Sequence, residues 1–340
     1  MTDSTSAGSR LSVPGVRIAG YGAAAPARVL SNADLATMME TSDEWIRKRT
    51  GIERRHVVDP ETEGEFTLAR DAMQQAIDRS GIDPSEIDLL IHASVTSEMT
   101  CPSNACRIAA EVGCTPAGAF DLVAACSGMV YSMNVADSLI RTGRYRTIGV
   151  VGCDALSQSV DYDDRSVSIL FGDGAGAMVL TADENPERGS IHQTMQADGT
   201  GWNSLYMPRN ERDVPEHDRE NPIRLGNLRM NGREVYRFAV GKFQKVIEDA
   251  LAATGLAVDD VAQFVCHQSN IRIIEAAVER LGLPADRVHV NIQEYGNTSA
   301  GSVGLVFAEL ADAGRINDGD IVVFVAFGGG LTWASSVWRI

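Results

Sequence analysis

Apolar residues recur along this chain in two alternating rhythms. Short, mainly apolar and partly β-branched runs at 16–21, 89–93, 119–122, 147–152 and 321–327 predict strands of a buried sheet. Between them, amphipathic stretches predict helices at 67–80, 102–112, 127–142, 234–254, 271–281 and 299–313. Each is followed by a glycine (Gly81, Gly113, Gly143, Gly255, Gly282 and Gly314), the residue best suited to the left-handed conformation that closes a helix. Thr41-Ser-Asp-Glu has capping-box spacing and predicts one more helix, stopped at Gly51. Strands and helices alternating over the whole length predict an α/β fold.

The pattern also repeats. Segments 81–94 and 255–268 align without gaps, each following a long predicted helix and running into an apolar strand. Segments 171–180 and 327–336 echo one another in the same order. One echo is what chance supplies; two in one order predict a duplicated α/β unit. The expected organisation is a disordered tail at 1–13, a first half at 14–185 and a second at 186–340. Two like units packed about a pseudo-twofold axis bring equivalent strand ends together, and ligands of open α/β sheets gather beyond those ends. That placement nominates Cys126 from the first half, and His267 and Asn297 from the second.

Composition narrows the choice of chemistry. The 340 residues are 44% hydrophobic and 22% charged, with no apolar run long enough for a membrane helix. A net charge of −16 argues against nucleic acid as a partner, because phosphate binding needs a basic footprint. The first dozen residues lack the marks of a signal peptide, and the six cysteines form no CxxC pair. A cytoplasmic protein with reduced thiols and no metal site is expected. Cys106, Cys114 and Cys153 read as buried structural residues.

Cys126 lies where a strand gives way to a small-residue turn and a helix begins. The helix dipole there is expected to lower the thiol pKa, with Ala125 and Gly128 leaving room for a substrate. His267 follows an apolar strand, and the other histidines (56, 92, 192, 217 and 289) stand in no comparable polar cluster. Asn297 sits in a Gly-Asn turn. Each has an ordinary structural explanation alone. Together they allow two mechanisms. A papain-like hydrolase has the same chain order of Cys, His and Asn, but its signature around the nucleophile is absent and the repeat is left unexplained. The other is acyl transfer to the thiolate followed by carbon–carbon bond formation, with His and Asn donating to a developing enolate oxygen.

The motifs carry a resemblance. Thr41-Ser-Asp-Glu-Trp-Ile with Arg49-Thr-Gly-Ile, Ala124-Ala-Cys-Ser-Gly and Phe171-Gly-Asp-Gly-Ala-Gly-Ala lie in the first half. His267-Gln-Ser-Asn-Ile-Arg-Ile-Ile, Tyr295-Gly-Asn-Thr-Ser-Ala-Gly-Ser-Val and Ala326-Phe-Gly-Gly-Gly-Leu-Thr-Trp follow in the second. In this order and spacing the chain resembles a β-ketoacyl-acyl-carrier-protein synthase III, the initiating condensing enzyme of the thiolase superfamily, from Gly15 to Ile340.

The resemblance implies a thiolase-like five-layered αβαβα fold built from two duplicated halves, acting as a homodimer. It implies that Cys126 attacks an acyl-CoA, with the oxyanion held by the backbone N–H groups of Cys126 and Gly329. Malonyl-acyl-carrier-protein then loses carbon dioxide, and His267 and Asn297 stabilise the enolate. The products would be a 3-oxoacyl-carrier protein, CoA and carbon dioxide, with no cofactor. A triple glycine at 328–330 would let the backbone approach the thioester.

By the same resemblance Trp45, Arg49, Arg165 and Asn270 would bind CoA. Leu156, Phe171 and Leu205 would line the acyl pocket, and Arg237, Arg272 and Arg280 would dock the acidic carrier protein. Cys101 stands where many relatives carry a bulky phenylalanine, and the smaller side chain would deepen the acyl tunnel unless Met99 fills the gap. The rivals are a thiolase-fold acyltransferase or starter synthase of secondary metabolism, a cysteine hydrolase, and a non-catalytic scaffold.

Overall fold

The structure, a computed structural model, describes residues 13–220 and 224–340. The expected tail therefore lies outside the described residues, apart from Val13.

Two sheets form. The first holds β1 (Gly15–Ala24), β2 (Leu89–Ala93), β3 (Gly118–Leu122), β4 (Thr147–Ala155) and β5 (Asp173–Asp183), in the order β1-β5-β4-β2-β3. The second holds β6 (Gly189–Ala197), β7 (Gln263–Cys266), β8 (Ile321–Gly328) and β9 (Thr332–Arg339), in the order β6-β9-β8-β7. Strand for strand this is one topology twice: β2 and β4 are parallel like β7 and β8, and the strands beyond are antiparallel in both. Where β3 pairs with β2, the second sheet has only an isolated parallel bridge from Phe264 to Val288.

The principal helices are α1 (Asp43–Thr50), α2 (Glu65–Ser80), α3 (Asn104–Glu111), α4 (Gly128–Arg141), α5 (Gly232–Thr254), α6 (Ile271–Leu281) and α7 (Ser302–Asp312). On one outer face, Leu68, Met73 and Ile77 of α2 and Ile108 of α3 pack on Leu90, Val151 and Val179. Between the sheets, Met129 and Met133 of α4 and Val303 and Phe307 of α7 meet Ile91 and Val150 on one side and Val322 and Phe324 on the other. On the far face, Phe243 and Ile247 of α5 and Ile273 of α6 cover Phe264, Val323 and Val325. The order of layers is αβαβα. Neighbours such as Val150 and Val151 serve opposite layers, which is why the central strands read as unbroken apolar runs.

The two halves keep one register. Positions 174 residues apart begin β1 and β6 (Gly15, Gly189), begin β2 and β7 (Leu89, Gln263), begin β4 and β8 (Thr147, Ile321), and cap helices in the left-handed conformation (Gly81, Gly255). The helices expected at 127–142 and 299–313 each open with a short turn, Ala125–Ser127 and Ser299–Gly301, before α4 and α7. The first residue of each turn has a positive φ, 46° at Ala125 and 49° at Ser299, so the chain bends sharply there before the helix starts. The glycine motif at 172–176 has a packing cause. A Cβ on Gly176 would lie 2.4 Å from the Cα of Gly304, so α7 rests directly on β5.

Candidate active site

The turn bearing Cys126 is clamped from the second half. Thr332 Oγ1 lies 3.0 Å from Ala124 O, 3.1 Å from Ser127 Oγ and 3.0 Å from Gly329 O, tying the turn to the glycine-rich end of β8. A Cβ on Gly328 would fall 2.7 Å from the Cys126 nitrogen, so this is the glycine whose packing forbids a side chain. At Gly329 the nearest contact would be an ordinary 3.4 Å from Leu205, and Gly330 is instead required by its φ of 130°. Close approach to the Cys126 turn thus accounts for one glycine of the three.

Cys126 itself is buried, and here the structure corrects the sequence. Burial pushes the thiol up to about 12, against the help of the Ser299 side chain and with the Asp154 carboxylate adding to the rise. A helix begins beside it, as expected, but desolvation of a thiolate is the largest influence on the sulfur. The resting sulfur is protonated.

His267 follows β7, its N–H donating to Val325 O at 2.9 Å and its ring edge-on to Phe327 at 5.4 Å. Burial depresses its pKa to about 3, so the imidazole is neutral and keeps one N–H to donate. Gln268 stitches this segment down. It donates from its backbone to Ser302 Oγ (2.8 Å) and from its amide to Cys266 O (3.0 Å) and His289 O (3.2 Å), and accepts from Asn291 N (3.2 Å). Asn297 is bridged to Phe171, and its Oδ1 accepts the Ser299 N–H at 2.9 Å. With the oxygen engaged, the amide NH2 is the end left to donate.

Cys126, His267 and Asn297 line one cleft of about 620 Å³ with Phe171, Leu205, Asn270 and Phe327. At Cys126, Phe171 and Leu205 it meets a second, mainly apolar cavity of about 770 Å³ that includes Val95, Leu156, Met207, Leu228 and Gly329. Cys126 therefore stands where two mainly apolar cavities meet, with His267, Asn297 and Asn270 as polar points in the first. Residues 120–199 match the family described as 3-oxoacyl-[acyl-carrier-protein] synthase III, and residues 251–340 match its C-terminal family. The β-ketoacyl-[acyl-carrier-protein] synthase III of Roseiflexus sp. (strain RS-1) is 44% identical over 322 residues, covering 94% of this chain and 97% of its own.

The chain belongs to the β-ketoacyl-acyl-carrier-protein synthase III family.

Solved structures agree. The 3-oxoacyl-[acyl-carrier-protein] synthase III from Aquifex aeolicus VF5 is similar with a TM-score of 0.88 at 37% identity, over 96% of this chain and 100% of that one. The priming β-ketosynthase of the R1128 polyketide biosynthetic pathway gives a TM-score of 0.87 at 35% identity, over 96% of both chains. The thiolase-like fold expected from the motifs is confirmed, and the protein is a condensing enzyme of the acyltransferase class.

The outlying residues of this synthase fall in several places. Trp45 is flanked by the guanidinium groups of Arg49 (4.6 Å from the ring centroid) and Arg165 (5.1 Å), beside a shallow basin that includes Glu40 and Thr41. Asn270 links that site to the cleft, its Nδ2 donating to Arg49 O at 3.1 Å. Arg237 and Arg272 are exposed on α5 and α6, close in sequence to cleft residues Tyr236, Phe238, Asn270 and Ile273. Arg280, also exposed, lies eight residues beyond Arg272, roughly 12 Å along α6 at the helical rise. Cys101 is exposed and lines neither of these two cavities, and Met99 beside it is exposed too.

Two further readings need correcting. Cys106 is exposed on α3, because Ile108, Ala105 and Ala109 take that short helix's buried face. His92 does stand in a polar cluster: fully buried, it contacts Glu65 at 2.6 Å and Asp121 at 3.1 Å, while Asn104 donates to Glu65 at 2.6 Å. The cluster joins residues of four separate elements between 65 and 121, with no local pattern to announce them. Asp154 stands outside the quoted motifs, and Gln268 and Ser299 stand inside them with no role of their own. The gapless alignment of the halves, extended along the chain, pairs Asp154 with Gly328 and was the available signal.

Proposed function

We propose that this protein performs the initiating condensation of fatty acid synthesis, joining an acyl-CoA primer to malonyl-acyl-carrier-protein. The reading rests on one observation: a buried cysteine shares a cleft with a neutral imidazole and an amide whose NH2 is free to donate. In the first half-reaction the Cys126 sulfur bonds to the acyl carbon, the bond to CoA sulfur breaks, and the thiol proton leaves on CoA. The oxyanion sits at the backbone N–H groups of Cys126 and Gly329. The acyl chain takes the apolar recess of Leu156, Phe171 and Leu205. In the second, the malonyl carboxylate departs as carbon dioxide, and His267 and Asn297 donate to the enolate oxygen. The enolate carbon attacks the acyl thioester, and the released sulfur takes one proton from solvent. No step calls on a metal or bound cofactor.

Trp45 and Arg165 would hold the adenine end of CoA, with Arg49 and Asn270 along the route inward. A homodimer through β3 is supported by the exposed apolar residues around that edge, Phe120 (38%), Val123 (77%) and Met99 (44%). Six free cysteines suit a reducing cytoplasm. The likeness to a priming polyketide synthase favours a second reading, in which the same chemistry supplies a polyketide starter.

The test is intact-protein mass after incubation with short acyl-CoAs, followed by malonyl-acyl-carrier-protein. An adduct on Cys126, absent in Cys126→Ser and discharged as a 3-oxoacyl product, is expected. His267→Ala and Asn297→Ala should keep the adduct and slow its discharge by about 10²–10³-fold, the usual loss for one such donor. An adduct that hydrolyses without malonyl substrate identifies a hydrolase; no adduct identifies a scaffold.

A further inference from the structure

The 174-residue register pairs two turns. Ala125–Ser127 and Ser299–Gly301 are each entered through a left-handed residue, and each opens a helix of the central layer. Ala300 is thus the counterpart of Cys126. At the ends of β4 and β8, Gly328 is likewise the counterpart of Asp154.

The exchange between these pairs is chemical. In the second-half turn, the Ala300 N–H donates to Asp154 Oδ2 at 3.2 Å, so an anion belonging to the protein occupies the mouth of that turn. In the first-half turn the same place holds Gly328, which contributes no side chain beside the Cys126 nitrogen. One anion place is filled from within, and its twin is kept clear for substrate.

Asp154 is fully buried and firmly held. Its Oδ1 accepts from Val95 N (2.8 Å), Ser94 Oγ (3.0 Å), Thr96 Oγ1 (3.0 Å) and Thr96 N (3.2 Å). Ser299 connects it to the reacting groups. The Ser299 N–H fixes Asn297 Oδ1 at 2.9 Å, and the next N–H of the same turn, that of Ala300, is the one Asp154 Oδ2 holds.

We propose that Asp154 is a positioning residue for the condensation step: by filling the anion place of the sister turn it holds Ser299, and through it Asn297, with the amide NH2 turned toward the enolate. The proposal rests on the condensation reading above. A second effect accompanies it, because the buried negative charge also opposes thiolate formation at Cys126. Removing the charge while keeping the shape should make the sulfur more reactive and condensation slower. Simple loss of structure would also expose the sulfur to labelling, so it is retained acyl-adduct formation that separates the two.

Asp154→Asn tests it, since an amide NH2 in place of Oδ2 leaves the Ala300 N–H without an acceptor. Three rates are compared with wild type: iodoacetamide labelling of the Cys126 peptide by mass mapping, acyl-adduct formation, and adduct discharge by malonyl-acyl-carrier-protein. The expected result is labelling about threefold faster, adduct formation retained, and discharge slower by about 10–100-fold. Wild-type discharge, or an equal fall in adduct formation and discharge, overturns the proposal. Should Asp154→Asn fail to fold, Thr96→Val removes one of the carboxylate's donors; discharge slowed with adduct formation intact supports the proposal, and unchanged discharge overturns it. If the wild-type enzyme itself neither loads nor discharges, the condensation reading fails instead.

Discussion

Around Cys126 two groups are displaced in opposite directions, the thiol up to about 12 and the His267 imidazole down to about 3, both by burial. Each is neutral at pH 7. A cysteine hydrolase works from a thiolate beside an imidazolium, and this cleft disfavours both charges. A neutral imidazole suits donation to an enolate oxygen instead. The residue that makes room for the chemistry is Gly328. Gly328→Ala places a methyl group 2.7 Å from the Cys126 nitrogen, against backbone that cannot yield cheaply. It should suppress acyl-adduct formation itself by about tenfold or more, with overpacking of about 1–3 kcal/mol seen in thermal denaturation. Unimpaired loading of that variant would show that the end of β8 does not shape the oxyanion place.

At the scale of elements, β2 is anchored to α2, α3 and β3 by the His92 cluster. Burial alone would depress the imidazole, but the Glu65 and Asp121 carboxylates outweigh it and raise its pKa to about 10. A pKa raised on folding stabilises fully below the unfolded value near 6.5 and loses that contribution as pH climbs toward the folded one. The melting temperature should therefore decline between about pH 6.5 and 10, and His92→Gln should flatten that decline. A slope unchanged in the variant would place the titration elsewhere.

Elements were unequally legible. β2 and α6 begin and end where the apolar pattern puts them, because each is bounded by clear breakers. β5, β6 and β9 were not predicted as strands. β5 alternates glycine with alanine at its start, β6 and β9 are rich in Ser, Thr and Gln, and all three owe their strand state to pairing with distant partners. Propensity alone gives no such information.

On the whole molecule, the proposed condensation requires a net charge of −16 to admit an acidic carrier protein. Arg237 and Arg272, exposed and next in sequence to residues that line the cleft, would supply the local exception the proposed docking needs. Arg237→Glu and Arg272→Glu should raise KM for malonyl-acyl-carrier-protein by about 5–10-fold and leave KM for acyl-CoA unchanged, the difference shrinking at high salt. Equal effects on both substrates would move the docking surface elsewhere.

The sequence by itself determined the alternation of strand and helix, the doubling of the unit, and the identity of the cysteine, histidine and asparagine with their family resemblance. Periodicity and order along the chain encode these directly. Tertiary structure alone decided the rest. It brought Cys126 to one cleft with His267, 141 residues away, and it set both of them neutral. It also decided which of two matching turns stays open, by ending β4 in a buried carboxylate against one and β8 in a glycine against the other. Desolvation and close approach depend on what packs against a residue, and that partner is seldom its neighbour in sequence.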